Sequence, residues 1–129
     1  MTRQRTTSGS PYEAQFGFCR AVREGNRIIV AGTGPIEADG SCKPDAAGQA
    51  ERCCALIVAA IEDLGGSARD VVRTRMLLTD PADQDAVGEV HARWFGEAKP
   101  AATMAGVAWL CDPAWKVEIE AEALLSPQD

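Results

Sequence analysis

Histidine is almost missing from this chain: His91 is the only imidazole in 129 residues. A metal site built from several histidines of one chain is thereby excluded. The lack of a histidine pair also counts against acid–base cleavage of RNA. A basic excess is missing too. Thirteen Lys and Arg stand against nineteen Asp and Glu, for a formal net charge of −6. A surface that displaces counterions from phosphates needs the opposite balance, so nucleic acid is not an expected partner. No apolar run approaches the roughly 18 residues of a membrane span. The opening MTRQRTTSGS is polar and lacks the apolar segment of a secretory signal. The five cysteines, Cys19, Cys42, Cys53, Cys54 and Cys111, contain no CxxC pair. An odd count without a signal argues for plain thiols in a reducing cytoplasm.

What is present reads as one ordinary domain. Apolar residues make up 46% and charged residues 25% of the chain, as in a globular protein with a real core. Residues 1–14 look like a flexible arm, and residues 15–125 like a single α+β domain. FGFCRAV (16–22) reads as a strand, and RIIVAG (27–32) as a β-branched central strand. From Asp45 the period changes. Ala50, Cys53, Cys54, Ile57, Ile61 and Leu64 recur at helical spacing, with Asp45 as N-cap and Gly65-Gly66 as the stop. DVVRTRMLLTD (70–80) is a strand with Val72, Thr74, Met76 and Leu78 facing the helices. Asp80-Pro81 opens a second helix whose buried stripe is Val87, Val90, His91, Trp94 and Phe95. KPAATMAGVAWL (99–110) is the next strand.

The last strand, KVEIEAEAL (116–124), alternates without a break. Val117, Ile119, Ala121 and Ala123 form one face, and Glu118, Glu120 and Glu122 the other. Two helices packed on one face of the sheet would cover the apolar side. The glutamates then look away, to water or to another subunit. Arg73 and Arg75 fall on the same sheet face and are expected to pair with Glu120 and Glu122.

Five stretches, in order, resemble one family. They are FCRAV (18–22), GNRIIVAGTGP (26–35), QAERCCALIVAAIEDLGGSARDVVRTRMLLTD (49–80), WFGEAKPAAT (94–103) and VEIEAEA (117–123). Together they identify the chain as similar to the Rid (YjgF-like) proteins, the reactive-intermediate imine deaminases, over nearly its full length. The resemblance implies a chorismate-mutase-like mixed sheet with two helices on one face. It also implies a homotrimer with three intersubunit clefts for a small-molecule ligand. The activity it implies is hydrolysis of enamines and imines such as 2-aminoacrylate to keto acids and ammonia, with no metal and no organic cofactor.

The same resemblance marks where this chain departs from the pattern. The family's P-A-R-[ST] motif becomes Pro100, Ala101, Ala102 and Thr103, so a methyl group replaces the guanidinium that grips the substrate carboxylate. Losing that anchor costs about 2–5 kcal/mol, roughly 30- to several-thousand-fold in kcat/KM. Phe18 stands for the usual tyrosine. Ala31, Gly32 and Thr33 stand for Ser-Gly-Gln, Gly88 for an asparagine and Met104 for a cysteine. Glu118 is retained where the family orients the attacking water. The implied pocket of Phe18, Ala31, Gly32, Thr33, Gly88, Ala102, Thr103 and Met104 has exchanged polar anchors for apolar surface. Two functions of different class follow. One is a hydrolase of an unusual C=N substrate, poor on 2-iminopropanoate. The other is a non-catalytic trimer that binds a ligand or a partner.

Overall fold

The computed structural model describes residues 2–126. Two strong local signals set its two long helices. Helix α2 (Ala46–Asp63) starts where the Asp45 carboxylate accepts a hydrogen bond from the Gly48 amide at 3.2 Å, satisfying one of the donors a helix start leaves free. It ends before Gly65, whose φ of 94° suits a residue without a side chain. Its buried face is the expected one, with Ala50, Cys53, Cys54, Ile57 and Ile61 fully covered. A short 3-10 turn, Pro81–Asp83, is capped by Asp80 and leads into α3 (Gln84–Phe95). Val87, Val90 and Phe95 of α3 are buried. His91 and Trp94 are only partly covered, because each turns a polar atom toward a neighbour. His91 Nε2 lies 2.7 Å from Thr74 Oγ1, and Trp94 Nε1 donates to Glu51 at 3.0 Å.

The strands are β1 (Gln4–Thr6), β2 (Ala21–Glu24), β3 (Arg27–Thr33), β4 (Val71–Leu78), β5 (Ala101–Gly106) and β6 (Val117–Leu124). They form one sheet in the order β1-β2-β3-β6-β4-β5, with only the β4–β5 pair parallel. The architecture is α+β, a mixed sheet with α2 and α3 against one face. Strand β6 runs through its middle, which is why its apolar residues Val117, Ile119, Ala121 and Ala123 are all at most 3% exposed.

Four expectations need correcting. The stretch read as a flexible arm carries β1, paired with β2, and a short helix, α1 (Pro11–Phe16). The strand read at 16–22 begins only at Ala21, since Phe16 ends α1 and Gly17 caps it in the left-handed conformation at φ 78°. The strand read at 99–110 stops at Gly106. In β4, Val72 is 41% exposed and Val71 takes the buried place, because the pairing with β6 shifts register between Val71 and Arg73. One extra residue flips the face of what precedes it.

The three glutamates do point away from the helices. Register sets Glu120 opposite Arg75 and Glu122 opposite Arg73. Arg75 and Glu120 pair at 2.8 Å. Glu122, however, is held by Arg27 of β3 at 3.0 Å rather than by Arg73. Both pairs are solvated and contribute about 0–1 kcal/mol each.

Candidate functional site

A second register shift shapes the site. Between Val30 and Thr33, β3 gains a residue relative to β6. The bulge buries Thr33 and sets Gly32 beside Glu118. A Cβ at residue 32 would lie 2.9 Å from Glu118 Oε2, so only glycine leaves the carboxylate its place. Gly34 has the same relation to Trp115, whose ring lies 2.5 Å from where a Cβ would be.

Above this floor lies a cavity of about 380 Å³. The Ser8–Tyr12 segment, Phe16 and Phe18 wall one side, and Gly32, Thr33, Trp115 and Glu118 wall another. Burial raises the Glu118 carboxyl above the ordinary glutamate range; Arg20 opposes this and Glu120 adds to it. Among the described residues Glu118 has no ion-pair partner. Its carboxylate faces the cavity with no counter-charge in direct contact.

Arg20 fixes the wall. It is 4% exposed, and its Nη1 donates to the Gly32 carbonyl at 2.7 Å and to Thr33 Oγ1 at 3.0 Å. Its Nε and Nη2 reach Glu13 Oε2 at 3.4 and 3.3 Å. Glu13 also accepts from Thr7 Oγ1 at 2.6 Å and Ser8 Oγ at 2.5 Å. Burial alone would raise the Glu13 carboxyl. The bonds from Ser8 and Thr7 and the charge of Arg20 hold it below the ordinary range instead. The network ties the N-terminal segment and α1 to β3.

Of the residues expected at a site, Phe18, Gly32, Thr33 and Glu118 line this cavity. Ala31 lies in the bulge, against a smaller hollow on the glutamate face of the sheet. Gly88 of α3 and Met104 of β5 lie near each other, 3.9 Å from a Cβ at residue 88 to the Met104 methyl. Ala102 and Thr103 are exposed on β5, at the sheet edge. Within one chain the expected pocket is thus two groups. Trp109 is 74% exposed and belongs to neither.

Glu13, Arg20 and Tyr12 were not singled out by sequence as site residues. A signal for the first was there: Ser10-Pro11-Tyr12-Glu13 has a capping serine, proline at the first helical position and an acid at the third. The cysteines of the core are inert. Burial pushes the Cys53 thiol well above its usual value and Cys54 up to about 12. Among the described residues no cluster of three metal-ligating side chains exists, and no helix is long and apolar enough to cross a membrane.

These features define a small α+β protein with a side-chain-free strand segment backing one cleft carboxylate. The family model described as Endoribonuclease L-PSP matches residues 9–125, and the chain belongs to that family. It is 38% identical to the uncharacterised protein SCO2049 of Streptomyces coelicolor over 121 residues, 93% of this chain and 90% of that one. It is 30% identical to the 3-aminoacrylate deaminase RutC of Acinetobacter baylyi over 86 residues, 65% of this chain and 68% of that protein. Among solved structures, Rv2704 of Mycobacterium tuberculosis, a member of the YjgF/YER057c/UK114 family, superimposes with a TM-score of 0.88 at 39% identity. That match covers 96% of this chain and all of the other.

Proposed function

We propose that the protein is a hydrolase of C=N bonds, acting on an imine or enamine other than a small 2-imino acid. The carrying observation is Glu118: a carboxylate without an ion-pair partner among the described residues, backed by Gly32 and facing a cavity of about 380 Å³. The RutC relative, a deaminase by name, supports the reaction type. In this reading Glu118 takes a proton from water as the oxygen bonds to the C=N carbon. Glu118 passes that proton to the nitrogen. The resulting carbinolamine gives its hydroxyl proton to Glu118, which hands it to the departing nitrogen, so imine and water become carbonyl compound and ammonia. Burial raises the affinity of Glu118 for the proton it must hold between these steps.

The proposal includes a homotrimer, in which β5 and α3 of a neighbour bring Ala102, Thr103, Met104 and Gly88 to the cavity. Ile29 and Val72, 43% and 41% exposed, give apolar surface for such contacts. With Ala102 in place of arginine, no guanidinium is offered to a substrate carboxylate from that strand. Arg75 does not substitute, since Glu120 holds it.

The test is keto-acid formation from 2-iminopropanoate generated in situ, compared with hydrolysis of a carboxylate-free imine. The expected result is acceleration of the second and little of the first. Gain of activity on 2-iminopropanoate is expected in Ala102→Arg. Efficient wild-type deamination of 2-iminopropanoate overturns the substrate reading, and no acceleration of either imine overturns the hydrolase reading.

A further inference from the structure

The cavity has an unusual lining for a site in a family expected to take acids. Its apolar wall is aromatic and continuous. Tyr12 stacks on Phe16 with ring centroids 5.9 Å apart and meets Trp115 edge-on at 5.8 Å. Phe18 completes the wall and already carries a cation on its ring, the Arg20 guanidinium 5.5 Å from the centroid.

The charges complete the pattern. Two arginines line the cavity, and each has its own carboxylate. Arg20 is bound to Glu13, and Arg52 lies 3.7 Å from Glu37 while donating to the Ile36 carbonyl at 2.7 Å. Two lining carboxylates make no ion pair among the described residues, Glu118 and Asp39; Arg20 and Lys43 act on them only from a distance, and Asp39 accepts from Ser41. The balance facing a ligand is therefore negative. An incoming carboxylate meets two anions and no free guanidinium, while an organic cation meets aromatic faces and carboxylates together.

We propose that this cavity selects an organic cation on an apolar body, a protonated amine or iminium without a carboxylate. As a substrate class this rests on the hydrolase reading above, and it fits that chemistry. With its nitrogen protonated, a C=N group is in the form whose carbon water attacks most readily, and Glu118 faces the cavity where it can both stabilise the cation and accept the proton of the water.

The test uses stable probes of one shape: benzylammonium, benzyl alcohol and benzoate, by calorimetry at pH 7.5. Benzylammonium is expected to bind about tenfold more tightly than benzyl alcohol, with benzoate weakest. Glu118→Gln should weaken benzylammonium about tenfold and leave benzyl alcohol unchanged, which also shows that the variant is folded. Tyr12→Leu should reduce the preference for the cation over the alcohol. Equal binding of all three probes, tighter benzoate, or no effect of Glu118→Gln overturns the proposal. Imine hydrolysis is measured separately. Cation binding without hydrolysis removes the enzyme reading and leaves this one standing. Hydrolysis without cation preference does the reverse.

Discussion

At the scale of single residues, the two carboxylates of the site are held in opposite states. Glu118 has a raised pKa from burial. A group whose folded value lies above its unfolded value costs stability as pH rises between the two, because the folded state binds the proton more tightly. Glu118→Gln should therefore raise the melting temperature at pH 7 and change it little at pH 4, while abolishing imine hydrolysis. Wild-type activity should fall as pH drops through the raised value, where the base is protonated. An unchanged melting temperature at pH 7 would contradict a strained Glu118. Glu13 is the mirror case. Its depressed pKa contributes stability that is present above the ordinary glutamate range and is lost as pH falls through the folded value. Glu13→Gln leaves Arg20 buried without its counter-charge, at an expected cost of about 3–5 kcal/mol in urea unfolding.

At the scale of elements, regular periodicity was readable and its interruptions were not. The spacing of Cys53, Ile57 and Ile61 sufficed to give α2, and strict alternation from Val117 to Ala123 gave β6. The bulges at Val71–Arg73 and Val30–Thr33 left no mark in the hydrophobic pattern, since Val71 and Val72 are equally apolar and Ile28 to Ala31 run apolar without alternation. Such a shift is set by pairing with β6, about fifty to ninety residues away, and local sequence does not encode it. The site suffered accordingly. Glu118 and Gly32 were legible through the family pattern, whereas Arg20 and Glu13 depend on α1 folding back over β3. Element ends obey local rules more simply. Gly65 at φ 94° closes α2, with Arg23 Nη1 2.7 Å from the position of a Cβ. Gly65→Ala should lower the urea midpoint by the equivalent of about 1–2 kcal/mol with the slope unchanged.

At the scale of the whole molecule, the expected site is divided. Glu118 and the aromatic wall lie together, while Ala102 and Thr103 stand exposed on β5. A homotrimer would reunite them. Light scattering should then give three times the chain mass, and a charge placed at Ile29 (Ile29→Asp) should dissociate the assembly and remove activity without unfolding the monomer. A monomeric, fully active wild type would refute the shared cleft.

The position of β6 bears on how the chain reaches this structure. Among the described residues it is the last strand in chain order, yet it lies between β3 and β4 and bonds to both. Until it arrives, the sheet exists as two unconnected pieces, and neither has its central neighbour. Pairings this distant in sequence carry a large loop-closure entropy before they return any contact energy. Refolding should thus be limited by insertion of one strand, with amide protection in β3, β4 and β6 appearing in a single phase. During synthesis the nascent chain would hold the facing edges of β3 and β4 open until β6 leaves the ribosome, the interval in which these edges are most exposed to association with other chains.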